Sequence, residues 1–167
     1  MMMVVIIDCR MPRQSLDGES NMPLWKIYHP VGRFSAEDKR EIAQRITSIY
    51  QLLPRFYVGV VFQEVAKGAF FVGGEPADDF VRIWVDHIAR TFGNEDSRVR
   101  FLGACSRLLA PFTTERGLRW EMHVDETPFS LWSIDGIRPP PPGSVAEQRW
   151  KSENRATAYQ ADEARPA

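Results

Sequence analysis

Cysteine is scarce. Cys9 and Cys105 are the only two in 167 residues, too few for a disulfide framework. They point to a reducing compartment, the cytoplasm. Long apolar runs are missing too: no stretch approaches the ~18–20 residues that cross a bilayer. Neither sign of charge dominates. Lys and Arg total 21 against 22 Asp and Glu, a formal net charge of −1. That balance gives no support to a surface that tracks phosphates, so nucleic acid is not an expected partner, and neither is a membrane. No G-x-G-x-x-G or P-loop is present, and no Cys-x-x-Cys or His-x-x-x-His, so neither cofactor nor metal is expected. The hydrophobic fraction of 44% and charged fraction of 26% suit one ordinary folded domain.

The chain divides into three regions. Residues 1–21 differ from the rest. Seven apolar residues open them with no basic residue in front and no small-residue cleavage site behind, which does not make a secretory signal. Residues 10–21 are polar. The segment is either a flexible leader or sequence added by a start codon placed too far upstream, because Met22-Pro23 opens a clean structural pattern.

Residues 22–143 form the expected domain. Residues 24–28 make a first strand. Ser35 and Asp38 resemble a capping box, and Ile42, Ile46, Ile49, Tyr50 and Leu53 form one helical stripe, predicting a helix over 36–53 that Pro54 ends. Residues 56–65 are aromatic and β-branched, hence a strand, and 69–72 suit a short returning strand before Gly73-Gly74. Residues 81–88 make another strand. A second helix starts near Asn94, with Val99, Leu102, Cys105, Leu108 and Leu109 as its apolar face. Residues 118–124 are the last strand. Two strand–helix–strand units in tandem predict an α/β sandwich: a four-stranded sheet with both helices on one face. Trp25, Trp84 and Trp120 then need cover on the other face, which oligomerisation supplies. Pro139 to Pro142 make a stiff arm suited to wrapping a neighbouring subunit. Residues 144–159 suggest a polar helix with Glu147, Trp150 and Asn154 on one side, and 160–167 a disordered tail.

His29, His87 and His123 lie on three different strands; structural histidines explain them, although three strands can also converge on a metal. Cys105 falls on an apolar helix face and reads as core. Pro23 stands out. If translation starts at Met22, removal of that methionine leaves Pro23 with a free secondary amine. An apolar pocket or a nearby cation lowers an ammonium pKa, so such an amine can act as a base near neutrality. Alternatively, Pro23 merely begins a strand, where proline is tolerated.

The stretch Pro23-Leu24-Trp25-Lys26-Ile27-Tyr28, with the Ser35 helix running to Tyr50, resembles the tautomerase superfamily. So do Val61-Phe62-Gln63-Glu64, Phe71-Val72-Gly73-Gly74, Ile83-Trp84-Val85 and Asp125-Glu126-Thr127-Pro128. The branch it resembles is that of cis-3-chloroacrylic acid dehalogenase, its fungal members in particular, over residues 23–155. The resemblance implies a homotrimer of β-α-β-β-α-β subunits with a catalytic amino-terminal proline, Pro23. It places a substrate-carboxylate arginine at Arg90. The second arginine of the family falls at Gly93. Tyr50 replaces a histidine, His123 a tyrosine, and Ile134, beside Asp135, a water-activating glutamate. These departures weaken hydrolytic dehalogenation, although Asp135 could substitute after a one-residue shift. Proton shuttling needs less: Pro23 as base, Arg90 for a small anionic substrate, and His123 or Tyr50 as donor to an enolate oxygen. Arg82 shares parity with Arg90 and could add a second cation, or be paired structurally. The expected activity is keto–enol tautomerisation of a small 2-oxo acid. Dehalogenation or hydration of a 3-substituted acrylate, and a non-catalytic trimeric scaffold, stand as alternatives.

Overall fold

The computed structural model describes residues 22–88 and 92–166. Two β-α-β units lie side by side in it. The first runs β1 (Met22–Pro30), α1 (Ala36–Ile49), β2 (Gly59–Val65). A two-stranded ribbon of β3 (Phe71–Val72) and β4 (Glu75–Pro76) follows, turning at Gly73-Gly74. The second unit is β5 (Phe80–Ile88), α2 (Glu95–Leu109), β6 (Arg119–Thr127). The strand order is β2-β1-β5-β6. Each unit pairs its own strands in parallel, and β1 joins β5 antiparallel, with Trp25 opposite Val85 and Ile27 opposite Ile83. The sandwich read from the tandem pattern is the fold observed.

Local chemistry sets the ends of α1. The Ser35 hydroxyl accepts from the Asp38 amide at 3.1 Å, and the Asp38 carboxylate accepts from the Ser35 amide at 2.8 Å, a complete capping box. Tyr50 caps the helix at its other end, earlier than the expected 53. Gly59 begins β2 because the strands crowd there: a Cβ on it would meet the Leu24 side chain at 3.1 Å.

The core lies between the sheet and the helices. Trp25, Ile27, Val81, Ile83 and Val85 meet Ile42 and Ile46 of α1 and Phe101, Cys105 and Leu109 of α2. Two expectations need correcting. Phe101 belongs to the buried face of α2, while Val99 and Leu102 are exposed, because the face centres on the row Phe101, Cys105, Leu109 at four-residue steps. Of the three tryptophans thought to need cover, Trp25 is fully buried beneath the helices and Trp120 packs against the same core; only Trp84 occupies the other face.

The carboxy-terminal region also departs from expectation. Pro139 and Pro140 are buried by their own subunit. Helix α3 (Val145–Glu153) drives Trp150 into the core against Phe56 and Tyr57, with ring centroids 6.0 and 6.3 Å away. Residues 160–166, read as disordered, return along α3: the Ala146 amide donates to the Glu163 carbonyl at 3.0 Å, and Arg149 pairs with the Glu163 carboxylate. Trp150 and Tyr159 anchor this segment, and burial of two aromatic side chains offsets the chain entropy of ordering it. The expected leader, residues 1–21, lies outside the described residues. No helix among those described is long and apolar enough to cross a membrane.

Asp38 also accepts two bonds from Arg116, at 3.0 and 2.6 Å, tying the start of α1 to the approach to β6. Arg116, and then the Ser35 bonds, hold the Asp38 carboxyl well below the usual carboxylate range. A carboxyl whose folded pKa is depressed stabilises above its unfolded value and loses that contribution as pH falls toward the folded one. We expect Asp38→Asn to cost about 1–2 kcal/mol at pH 7 by chemical denaturation. The variant should also lose less stability than the parent on acidification below about pH 4. Trp150→Ala should cost about 3–5 kcal/mol, because the fold has no means of closing so large a cavity.

Candidate active site

The amino-terminal end of β1 brings a proline, a histidine and a tyrosine together beneath the helices. A central strand tolerates proline poorly, yet Pro23 sits where only one neighbour reaches it: pairing with β2 begins one residue later, at Leu24 opposite Gly59. On the other side Pro23 stands directly opposite His87 of β5. Both are buried, and both share the helix-facing parity of Trp25 and Val85.

Aromatic rings enclose His87. Its imidazole stacks on Phe92 at 5.0 Å and 14°, with Phe101 of α2 at 5.6 Å and Tyr50 at 6.1 Å. The Phe92 amide donates to the Glu126 carboxylate at 2.7 Å, and Glu126 is the residue of β6 opposite His87. The Tyr50 hydroxyl accepts from the Trp25 indole at 3.3 Å. Burial raises its pKa, so it remains a phenol at neutral pH. Burial likewise pushes the nearby Cys105 thiol up to about 12, which keeps it a thiol in the core.

The opposite face of the sheet carries a separate polar group. Arg82 pairs with Glu121 and contacts His123 Nδ1 at 3.2 Å. Trp84 donates its indole N–H to Asp125 at 2.8 Å, lies 5.4 Å from the His123 ring, and carries the Lys26 ammonium 4.2 Å above its own ring. The Asp86 carboxylate accepts from the Thr127 hydroxyl at 2.7 Å.

The residues singled out from the sequence therefore fall into groups. Pro23 and Tyr50 share the helix side. Arg82 and His123 share the other side, with the sheet between the two pairs. Asp135 joins neither: with Gly136 it forms the centre of a two-residue turn, φ 51° and 76°, closed by reciprocal Ile134 and Ile137 hydrogen bonds. Both positive angles make it a type I′ turn, the geometry that Asp-Gly favours. Arg90 lies outside the described residues. Sequence reading passed over His87 as a place in the site. Its parity with Val81, Ile83 and Val85 marks it as inward-facing, but only the register of β1 against β5 sets it opposite Pro23.

His29 is also buried, with Nδ1 at 3.0 Å from the Pro30 carbonyl, and desolvation lowers its pKa. No cluster of three or more metal-ligating side chains exists among the described residues.

A family model described as "Putative oxalocrotonate tautomerase enzyme" matches residues 22–155. Native RhCC from Rhodococcus jostii RHA1 is 44% identical, with a TM-score of 0.79 over 81% of this chain and 99% of that one. A probable enzyme from the thermophilic fungus Aspergillus fumigatus is 39% identical, with a TM-score of 0.78 over 86% and 99%. N1, a member of the cis-3-chloroacrylic acid dehalogenase family, shares the fold at 22% identity, with a TM-score of 0.63 over 78% and 97%. No curated protein matches. The chain belongs to the tautomerase family whose model spans its domain.

Proposed function

We propose that the protein is a tautomerase that uses Pro23, freed as an amino terminus by removal of the preceding residues, as the general base for keto–enol tautomerisation of a small 2-oxo acid. The observation that carries this reading is the position of Pro23: buried, at the outer end of β1, directly opposite His87, whose ring packs with Tyr50, Phe92 and Phe101. Such a surround disfavours an ammonium and leaves an amine neutral at a pH where it can accept a proton. The family membership supports the same chemistry.

In this reading Arg90 binds the substrate carboxylate, as a planar guanidinium does with two parallel hydrogen bonds. Tyr50 is the candidate donor to the enolate oxygen on the same face as Pro23, because its hydroxyl stays protonated and gives none of the bonds it is seen to make. Arg82 and His123 face away from Pro23 and would serve a site between subunits, where a second chain presents that face. Asp135 is assigned to its turn. We propose a homotrimer in which subunits cover the face carrying Trp84, its exposed neighbour Val61 on β2 included.

A chain beginning at Pro23 should convert phenylenolpyruvate to its keto form, with a rate rising with pH through one ionisation, since only the neutral amine accepts a proton. The same chain with residues 1–22 attached should be inactive, because acylation removes the lone pair. Equal activity of the two would exclude proline chemistry. Arg90→Ala should raise KM for a 2-oxo acid by about 10- to 100-fold, the loss of one charge-assisted contact, with circular dichroism unchanged. An unchanged KM removes Arg90 from the site.

A further inference from the structure

We infer that Arg82 is a positioning residue for His123: it holds the imidazole as the tautomer with its proton on Nε2, so that His123 offers a single N–H to a carboxylate oxygen of a substrate bound between subunits. The inference rests on the reading of that face as part of a site shared with a second subunit. A guanidinium carries five N–H donors and no acceptor. Nη2 of Arg82 lies 3.2 Å from Nδ1 of His123. Two donors do not face each other at that distance, so Nδ1 is the acceptor and bears no proton. A neutral imidazole has one ring proton, which is then on Nε2. At that nitrogen His123 is a hydrogen-bond donor, not a base and not a metal ligand.

The surroundings fix the arginine and leave the Nε2 proton unspent. Glu121 pairs with Arg82 through the other terminal nitrogen, Nη1. The guanidinium thus spans a carboxylate and an imidazole with two different nitrogens, and its planar fork sets where the second one points. The His123 ring lies 5.4 Å from that of Trp84 at 30°. The Trp84 indole gives its own N–H to Asp125 at 2.8 Å and carries the Lys26 ammonium over its ring. Among the described residues no group accepts from His123 Nε2. Arg82 and His123 are both half-buried, on the sheet face away from the helices. Donation into Nδ1 polarises the imidazole and strengthens its Nε2–H as a donor. With a guanidinium behind it, that donor suits an oxygen that is charged before any reaction, hence a carboxylate.

The tautomer is read directly from the 15N resonances of the His123 ring in the full chain, at about pH 8, above the ordinary imidazole value of about 6.5. His123→Phe identifies its signals. The parent should show a bare Nδ1 and a protonated Nε2. Arg82→Gln, whose amide accepts as readily as it donates, should move both resonances toward the average of two tautomers, since loss of one charge-assisted hydrogen bond shifts such a ratio about tenfold. Arg82→Lys, again a donor only, should restore the parent spectrum. A protonated Nδ1 in the parent, or a spectrum unchanged in Arg82→Gln, overturns the inference whatever the activity. In chains beginning at Pro23, Arg82→Gln should raise KM for phenylenolpyruvate about five- to tenfold with kcat within about twofold, the pattern of lost ground-state binding. An unchanged KM overturns the carboxylate assignment. In a His123→Phe background the same change should add nothing, because Arg82 acts through the imidazole. A further loss there makes Arg82 a direct ligand and overturns the positioning role. A tautomer that follows Arg82 in chains without tautomerase activity upholds the hold of Arg82 on His123 and overturns the functional reading instead, the carboxylate role with it.

Discussion

The antiparallel pairing of β1 with β5 is the constraint on which the rest of the molecule depends. Each β-α-β unit is internally parallel, and its two strands leave two edges, of which the β1–β5 pairing covers one. Joining the two units through β1 and β5 makes one sheet, so that α1 and α2 share a single core under Trp25, Ile83 and Val85. The same register sets Pro23 opposite His87. A slip of one residue would exchange the faces of the whole strand, exposing Trp25 and Ile27 and burying Lys26. Fold stability and the placement of the candidate base are therefore fixed by the same set of cross-strand pairs.

The sheet separates two kinds of chemistry. Beneath the helices, aromatic rings pack on His87, Pro23 is buried opposite it, and burial favours neutral groups. On the opposite face, Lys26, Arg82, Glu121, His123 and Asp125 compensate one another around Trp84. An amine base suits the first environment. The second, charged yet internally paired, suits contact with another subunit better than proton abstraction within one chain. Further out, α3 and residues 160–166 close the core from the side through Trp150 and the pairing of Arg149 with Glu163.

Much of this was legible in the sequence. Period-2 and period-3.6 patterns located both strand–helix–strand units, and Ser35 with Asp38 announced the start of α1 because capping is a local matter of side chain and backbone. What depends on distant partners was not. Val99 and Leu102 look as apolar as Phe101, and only the sheet's position decides which row of α2 is buried. Parity sets Trp84 on the opposite face of its strand from Ile83 and Val85, but not which of the two faces turns to the helices. The tail's polar composition hid the two aromatic anchors that order it. In the site, the resemblance pointed to Pro23 and Tyr50, whereas the opposition of Pro23 and His87 is a register, which no single strand encodes. Asp135 drew notice as a spare carboxylate next to a family position, while its pairing with Gly136 already spelled a turn.

The proposed chemistry requires that Pro23 carry a free amine in the working protein. Intact-mass measurement of the protein isolated from its native source tests this most directly. A single species whose mass corresponds to a chain beginning at Pro23 is the expected result. A mass that retains residues 1–22 would contradict it, because Pro23 would then be an amide nitrogen without basicity.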